Sequence, residues 1–165
     1  MIYLRKLNAE KDISNEYLNW MNDKDIHQFT EQRHKKHSLK DIKKFILEKN
    51  KSDNEFLYGI FLDKNKHIGN IKLGPINFIH KYAVISYFIG IKNLHNKGLT
   101  SKAIKKIITI AKKKGIKKLK AGVYEMNVAS VKVLKKNGFH KEGLLKNEYI
   151  YKKKRIDCCI FGKSI

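Results

Sequence analysis

Hydrophobic and polar positions recur along this chain with two different periods, and the periods separate strands from helices. The first segment, Ile2 to Leu7, alternates as a half-buried strand does. After it, Ser14 is a typical N-cap residue, and Tyr17, Leu18 and Met21 share one face of the helix that it would begin. The pattern therefore predicts a strand followed by a short amphipathic helix.

A second helix is predicted from Ser38 to about Lys49. Ser38 is followed three residues later by Asp41, which is the spacing of a capping box, and apolar residues then recur at helical spacing. Two further helices, each ended by a glycine, are predicted at about Ser101–Gly115 and Asn127–Gly138.

The other apolar runs are rich in isoleucine, phenylalanine and tyrosine and are separated by turn residues, which is typical of strands. They are Glu55–Leu62, His67–Leu73, Tyr82–Ile91, Leu119–Tyr124, Phe139–Tyr151 and Asp157–Gly162. The first three predict an antiparallel meander, with one turn at Asp63–Lys66 and a looser connection from Pro75 to Lys81. No linker or internal repeat interrupts the pattern, so we expect a single domain over residues 1–165.

One long segment, from Gln28 to His37, is too charged for a core and too long for a simple turn. We interpret it as a substrate loop, with Glu31, Arg33 and His37 as candidate substrate-binding residues. His34 and His37 are three residues apart, but a lone pair on a polar loop is typical of solvated histidines. No metal site is predicted.

Composition narrows the class of protein. The chain has 165 residues, of which 42% are hydrophobic, and this is enough for a globular core. The longest uncharged run, Tyr82 to Ile91, is too short to span a bilayer, and Arg5 leaves no room for a signal peptide, so we expect a cytoplasmic protein. Cys158 and Cys159 are adjacent and predict neither a disulfide framework nor a metal site; we expect one in the core and one at the surface.

Charge adds a preference for anionic ligands. The formal net charge is +22, which favours polyanions such as nucleic acids, nucleotide-sugars or coenzyme A. Lysine is abundant throughout, however, so the charge is equally explained by a compositional bias of the whole sequence.

A loop between a predicted strand and a predicted helix has the character of a phosphate site. The strand Tyr82–Ile91 is followed by Asn93–Thr100 and then by the helix near Ser101. Backbone N–H groups at a helix start are unpaired, and the macrodipole favours an anion there. Gly98 would let a pyrophosphate approach the backbone, and Lys97 and Ser101 would add a charge and a hydroxyl.

A second motif lies about thirty residues later. The strand Lys120–Tyr124 leads into Asn127, Ser130 and Gly138-Phe139. Together the two motifs resemble the acetyl-CoA-binding elements of the GNAT acetyltransferase superfamily, in which Arg/Gln-x-x-Gly-x-Gly/Ala precedes Asn-x-x-Ser/Ala and then Gly-Phe. The order of elements along the whole chain is similar as well. Trp20–Asp23 and Glu142-Gly143 resemble the ribosomal-protein N-terminal (RimJ/RimL-like) branch and its amino-sugar acetyltransferase relatives.

The resemblance implies an α/β (α+β) fold, a mainly antiparallel sheet of about seven strands flanked by about four helices, with a splayed parallel pair at its centre. It also implies acetyl-CoA as cosubstrate, with a pyrophosphate held by the amides of Asn96–Ser101 and a pantetheine arm held by β-strand backbone. The implied cofactor-binding residues are Phe88, Ile89, Gly90, His95, Asn96, Lys97, Gly98, Leu99, Thr100, Ser101, Asn127 and Ser130. Three positions depart from the family pattern, namely His95, Thr100 and Lys102.

The mechanism implied by the resemblance is direct attack of an amine on the thioester, with no acyl-enzyme and with the oxyanion held by a strand amide. Many members use a tyrosine in the second motif as acid, but this chain has Leu134 there. A carboxylate acting through water is a usual base. Tyr87 and Glu125 are the candidate catalytic residues, and Glu31 and His37 are the weaker alternatives.

Three functions remain open from the sequence. The first is acetylation of a primary amine on a small anionic molecule such as an amino-sugar nucleotide, guided by the cations from Arg33 to Lys36. The second is acetylation of a peptide N-terminus. The third is an RNA-binding module, which is disfavoured because the lysines between Lys102 and Lys120 lie on the solvated face of a helix without an aromatic stacking pattern. We expect no membrane partner, no nucleic-acid partner, and a monomer or homodimer.

Overall fold

The computed structural model describes residues 1–63 and 65–165, so Lys64 of the predicted turn Asp63–Lys66 lies outside the described residues. Within the described residues, seven strands form one sheet in the order β1-β2-β3-β4-β5-β7-β6, and four α-helices flank it. The elements are β1 (Tyr3–Lys6), α1 (Asn15–Asn22), α2 (Leu39–Lys51), β2 (Phe56–Leu62), β3 (Lys66–Asn77), β4 (Tyr82–Ile89), α3 (Leu99–Lys113), β5 (Lys118–Tyr124), α4 (Val128–Lys136), β6 (His140–Tyr151) and β7 (Lys154–Ser164). The predicted mainly antiparallel sheet is confirmed.

Helix starts follow the predicted capping chemistry. Ser14 accepts a hydrogen bond from the Tyr17 amide at 3.1 Å. Ser38 and Asp41 form a complete capping box, in which each side chain accepts from the other residue's backbone amide. These bonds satisfy amides that have no partner inside the helix, and so they fix where α1 and α2 begin.

Two apolar clusters lie on opposite faces of the sheet. One is formed with α1 and α2 and centres on residues such as Trp20, Ile46 and Phe61. The other is formed with α3 and α4 and includes Ile104 and Leu134, neither of which is exposed. The alternation of side chains along each strand supplies both faces. The central strands are therefore covered on both sides, as their apolar sequence predicts.

Two local predictions are wrong. Pro75 does not end its strand, because β3 continues to Asn77 across an irregularity between Leu73 and Ile76, where a proline without an N–H is tolerated. Cys158 and Cys159 are both buried, rather than one in the core and one at the surface. Their strand, β7, lies between β5 and β6, so the backbone is covered on both edges.

The central pair of strands separates after a short common stretch. β4 and β5 are parallel, and they pair only where Tyr82–Val84 meets Lys118–Lys120. Each strand continues beyond that stretch without pairing to the other, β4 to Ile89 and β5 to Tyr124. The predicted splayed parallel pair is confirmed, and it leaves backbone groups of β4 facing an open cleft.

No helix in the described ranges, 1–63 and 65–165, has the length and apolar character needed to span a bilayer.

Candidate functional site

The backbone of β4 offers its hydrogen-bonding groups to the cleft at alternate residues. The Gly90 amide donates to the Ile68 carbonyl of β3 at 2.8 Å, and Phe88 is opposite Asn70 in the same register. Because backbone groups alternate between the two neighbours of a strand, those of Phe88 and Gly90 point to β3. Of the predicted backbone contacts Phe88–Gly90, Ile89 alone points its N–H and C=O toward the cleft.

The loop before α3 forms a cradle of backbone amides. Asn96 and Gly98 both have positive φ, 61° and 73°, and Gly98 caps the helix without a side-chain hydrogen bond. The first hydrogen bond of the helix is donated by the Lys102 amide to the Gly98 carbonyl, at 3.1 Å. The amides of Leu99 to Ser101 precede it and need partners from outside the helix. We find that α3 begins at Leu99 rather than near Ser101, so the unpaired amides lie directly after Gly98.

The space over the cradle is open. A Cβ placed on Gly98 would meet no atom of the described residues within 4 Å. The helix start directs partial positive charge into this space. Lys97 and Lys102 lie on either side of the cradle in the sequence. An anion such as a pyrophosphate therefore fits the cradle both sterically and electrostatically.

Two predicted cofactor side chains are committed to contacts within the protein. The Ser101 hydroxyl is buried and pairs with the Asn137 side chain, whose Nδ2 donates to it at 3.0 Å. His95 Nε2 donates to the Ile89 carbonyl at 2.9 Å. The Ser101 hydroxyl therefore joins α3 to α4, and its predicted contact with phosphate stays a prediction. Ser101 retains a free amide, and Ile89 retains a free N–H.

Tyr87 and Ser130 meet across the cleft. Their hydroxyls lie 2.8 Å apart, and the Ser130 amide donates to the Asn127 side chain at 3.2 Å, as the predicted N-cap requires. Burial raises the pKa of Tyr87 to about 12, against a weaker lowering by the Ser130 hydrogen bond. A phenol with this pKa stays protonated near neutral pH, so Tyr87 fits a proton donor rather than the base that we expected.

Glu125, the other candidate catalytic residue, does not line the cavity to which Tyr87 belongs. It is exposed just beyond β5, and its backbone amide donates to Asp157 at 3.1 Å. It is not part of the large cavity that reaches the end of β4. The structure therefore separates the two candidates.

A cavity of about 660 Å³ lies between the helices α1 and α2 and the strands β2–β4. Its lining residues include Tyr17, His27, Thr30, Glu31, Lys35, Lys36, His37, Asn70, Ser86, Tyr87 and Phe88. Of the three predicted substrate residues, Glu31 and His37 line the cavity and Arg33 does not. Because Tyr87 belongs both to this wall and to the cleft, the cavity opens toward the end of β4.

Arg33 ties the polar loop to the sheet. Its guanidinium donates to the Thr30 carbonyl at 2.8 Å, the Tyr124 hydroxyl at 2.7 Å and the Ile150 carbonyl at 3.0 Å. Only 13% of the side chain is exposed. These bonds are donated by Nη1 and Nη2 to groups inside the protein, and the predicted contact of Arg33 with substrate stays a prediction.

Glu31 and Tyr124 complete this junction. The Tyr124 hydroxyl donates to Glu31 Oε1, and burial, together with the Glu31 carboxylate, raises the pKa of Tyr124 to about 12. Glu31 Oε2 receives no hydrogen bond in the described residues and is 3.8 Å from His34. Glu31 is thus a carboxylate on the cavity wall with one oxygen available. Tyr124 was missed from the sequence because its partners are about ninety residues away.

His27 was also missed from the sequence. It is 1% exposed, and its Nδ1 is 3.1 Å from the Thr30 hydroxyl. Its Nε2, like the Nε2 of His37, is buried without a hydrogen-bond partner in the described residues. Burial lowers the pKa of His27 to about 4. No sequence pattern marks His27, since it lies in a segment without periodicity.

The cavity also carries unpaired positive charge. Lys35 and Lys36 line it, both are exposed, and neither forms an ion pair with another described residue. In the described ranges, no group of three or more histidine, cysteine, aspartate or glutamate side chains is arranged to hold a metal ion.

Comparison with known proteins places this geometry among acetyltransferases. Residues 2–140 match the family model described as an acetyltransferase (GNAT) domain. A probable N-acetyltransferase, YjcK of Bacillus subtilis, is 33% identical over 100 residues, which are 59% of this chain and 55% of that protein. The match thus spans about half the length of this curated relative.

Solved structures with the same fold cover nearly the whole chain. Spermidine N-acetyltransferase from Vibrio cholerae, in complex with CoA and spermine, has a TM-score of 0.87 at 19% identity and covers 99% of this chain and 95% of its own. An acetyltransferase from Salmonella typhimurium that modifies the N-terminal serine of ribosomal protein L7/L12 has a TM-score of 0.84 at 20% identity, with 99% and 95% coverage.

Proposed function

Because this chain belongs to the GNAT acetyltransferase family, we propose that it transfers the acetyl group of acetyl-CoA to a primary amine by direct attack. The observation that carries the proposal is the meeting of three features at the end of β4. These are the amide cradle at Gly98, the free N–H of Ile89 in the cleft, and the cavity wall at Tyr87.

The cradle and the cleft fit the two ends of the cosubstrate. The amides of Leu99 to Ser101 would hold its pyrophosphate. The N–H of Ile89 would bind the pantetheine arm in the cleft, where β5 has diverged from β4. Acetyl-CoA supplies the thioester carbonyl. A strand amide at that place also stabilises the negative charge that develops on the carbonyl oxygen during attack.

The hydroxyl pair of Tyr87 and Ser130 would serve the departing thiolate. As the new N–C bond forms and the C–S bond breaks, a proton moves from this pair to sulfur. Tyr87 is protonated at neutral pH, so the pair can give a hydrogen bond and then a proton to the sulfur as negative charge develops on it. Leu134 is buried and apolar and cannot donate a proton, so the hydroxyl pair would be the acid in its place.

Glu31 is the proposed proton acceptor for the attacking amine, directly or through one water. Its Oε2 has no hydrogen-bond donor among the described residues, and it lies on the cavity wall. Both carboxylates are exposed, but Glu31 lines the cavity and Glu125 does not, so we prefer Glu31. The proton leaves the nitrogen as the N–C bond forms, which yields a neutral amide.

We further propose that the acceptor amine belongs to a small anionic molecule. Lys35 and Lys36 line the cavity without acidic partners in the described part of the chain, so they can bind an anionic group. An amino-sugar nucleotide has this combination of amine and anion. The cavity of about 660 Å³ is of the size typical for small-molecule sites.

The cosubstrate site is tested by a matched pair of glycine substitutions. Gly98 and Gly115 flank the same helix α3, both have positive φ, and neither would bring a Cβ within 4 Å of a described atom. Backbone strain is therefore similar, whereas only Gly98→Glu puts a carboxylate at the cradle. We expect coenzyme A to raise the Tm of the wild type and of Gly115→Glu, and not of Gly98→Glu.

An unchanged wild-type Tm at millimolar coenzyme A, or an equal rise in both variants, would contradict the cradle. The acceptor class is tested separately, by thiol release from acetyl-CoA with a panel of amino-sugar nucleotides, polyamines and N-terminal peptides. We expect turnover to be highest with anionic amines and to fall in Lys35→Met/Lys36→Met. Preference for a peptide or a polyamine, unaffected by the two substitutions, would reject the anionic acceptor and leave acetyl transfer intact.

A further inference from the structure

The imidazole of His27 presents a buried lone pair that the protein does not use. Thr30 Oγ1 donates its single hydrogen to the His27 carbonyl at 3.3 Å and accepts from the Gln32 amide at 3.3 Å. With its hydrogen on the carbonyl, Thr30 Oγ1 accepts from Nδ1 of His27 in their 3.1 Å contact. We infer the tautomer protonated at Nδ1, which leaves Nε2 as a hydrogen-bond acceptor.

A buried acceptor without a partner is rare and costs folding free energy. His27 is 1% exposed, and its Nε2 has no partner among the described residues. Burial lowers the pKa of His27 to about 4, so the ring is neutral near pH 7 and Nε2 keeps its lone pair. Such groups in native structures commonly mark a ligand or a water.

The position of His27 indicates which ligand its Nε2 would bind. Its ring packs edge-on against Phe88, with the ring centroids 4.8 Å apart, and both residues line the cavity. Phe88 is flanked in β4 by Tyr87 and Ile89, which are the proposed proton donor and the strand residue with the free N–H. His27 therefore contacts a residue of β4 whose two neighbours along the strand are expected to border the acetyl group.

We propose that His27 Nε2 accepts a hydrogen bond from the nitrogen of the acceptor amine and directs that nitrogen toward the end of β4. This rests on the proposed acetyl transfer, and it adds that the amine is recognised by its own N–H group. A neutral primary amine can donate one hydrogen to the imidazole and keep its lone pair for attack. His37, whose Nε2 is also buried and unpartnered among the described residues, lies on the same wall.

Two substitutions separate the two imidazole nitrogens. In His27→Asn the side-chain amide replaces Nδ1, so the Thr30 contact is kept and the acceptor at Nε2 is lost. In His27→Gln the longer side chain returns an oxygen acceptor to the position of Nε2. We expect the kcat/KM for an amine acceptor to fall about ten- to a hundredfold in His27→Asn and to recover in large part in His27→Gln.

A direct test does not require the identity of the natural acceptor amine. ¹⁵N-histidine-labelled protein, saturated with coenzyme A, is titrated with n-propylamine and, as a matched control without N–H groups, with N,N,N-trimethylpropylammonium. We expect the free protein to show a neutral His27 with Nδ1 protonated, and its Nε2 resonance to move with n-propylamine alone. A ring protonated at Nε2, no movement, or equal movement with both probes overturns the proposal.

Thiol release with n-propylamine connects the two proposals and distinguishes their failures. If the wild type and both variants turn over equally, acetyl transfer stands and the role of His27 is rejected. If coenzyme A does not shift the wild-type Tm and no amine is acetylated, the proposed function fails. The resonance of His27 then still decides whether its lone pair binds an amine.

Discussion

At the scale of single residues, the protonation states of Tyr87 and His27 are set by burial. The Tyr87 phenol has a pKa of about 12 and a hydroxyl partner, Ser130, at 2.8 Å. The His27 imidazole has a pKa of about 4. One group is held as a proton donor and the other as an acceptor over the physiological range, which is the division of roles that amine acetylation needs.

Replacing Tyr87 by Phe removes the proposed donor and leaves the aromatic ring. We expect kcat to fall about ten- to a hundredfold, because one group that transfers a proton contributes at least that much. The Tm shift caused by coenzyme A should remain, since the cradle at Gly98 is unchanged. Steady-state kinetics and a thermal melt on the same samples provide both measurements.

Ser130→Ala is the companion variant, because it removes the second hydroxyl of the pair. Its effect on kcat should be smaller if Tyr87 donates the proton directly and as large if Ser130 relays it. An unchanged kcat in both variants would mean that the thiolate leaves without help from either hydroxyl.

The lowered pKa of His27 makes a prediction about acid stability. As the pH falls below 6.5, the unfolded chain binds a proton at His27, whereas the folded protein does not until about pH 4. The free energy of unfolding must therefore decrease from about pH 6.5 to about pH 4. Between about pH 7 and about pH 5, His27→Gln should lose less stability than the wild type in urea unfolding.

The carboxylates with lowered pKa, such as Asp12 and Glu55, lose their contribution at lower pH than His27 does, because their unfolded values are near 4. His67 has a lowered pKa as well, but it is present in both proteins and cancels from the comparison. Equal loss of stability in the wild type and the variant would contradict the burial effect on His27.

Residue roles with a local cause were predictable from the sequence, and those with a distant cause were not. Ser14, Ser38 and Asn127 cap helices because the relevant donors are three residues away. Arg33 was predicted to contact substrate, but its donors reach Tyr124 and Ile150 on strands far along the chain. No pattern within the loop announces those partners.

At the scale of elements, the loop between α1 and α2 is held in place by Arg33. We expect Arg33→Met to lower the free energy of unfolding by about 2 kcal/mol or more, because buried polar partners would be left unpaired. The acceptor KM should rise as well, since Glu31 lies on the same loop. Urea unfolding and steady-state kinetics are the measurements.

Lys35→Met is the matched control, because it removes one positive charge from the same loop at an exposed position without an ion pair among the described residues. Its stability should stay within about 0.5 kcal/mol of the wild type. Equal destabilisation by the two substitutions would show that the loss of charge, rather than the loss of the Arg33 hydrogen bonds, is responsible.

Helices and strands were predicted to within a few residues where one face is apolar. Boundaries set by other elements were less accessible. β3 passes through Pro75 because β4 holds it in register on both sides of the irregularity. α3 starts two residues early because Gly98, with positive φ, already turns the chain into the helix.

At the scale of the whole molecule, burial raises the pKa of five of the eight tyrosines, three of them to about 12. Burial raises the pKa of Tyr17, Tyr87 and Tyr124 to about 12. Between about pH 10 and about pH 12 the unfolded chain loses these protons first, so the stability contributed by the neutral phenols is lost as the pH rises. Tyrosinate absorbance should rise in two stages, with the second coinciding with loss of the native circular dichroism.

Tyr87→Phe should reduce the late stage and leave the early stage unchanged. A single transition, complete before the native signal is lost, would contradict the assignment of these three tyrosines to buried sites.

The order of strands and the splayed pair were predictable because the two motifs and the order of elements along the chain are similar to a known family. The cavity was not, since its walls come from α1, α2 and three strands at once. Acceptor specificity therefore depends on the parts of the molecule for which the sequence has no local signal.

The short contact between β4 and β5 has a mechanical consequence. Only three residues of each strand join the two leaves of the sheet along this seam, from Tyr82–Val84 to Lys118–Lys120. A ligand lying in the gap would act as a missing strand and stiffen the seam. Hydrogen–deuterium exchange should then slow at the amides of Tyr87 and Ile89, which a ligand bound elsewhere would leave unprotected.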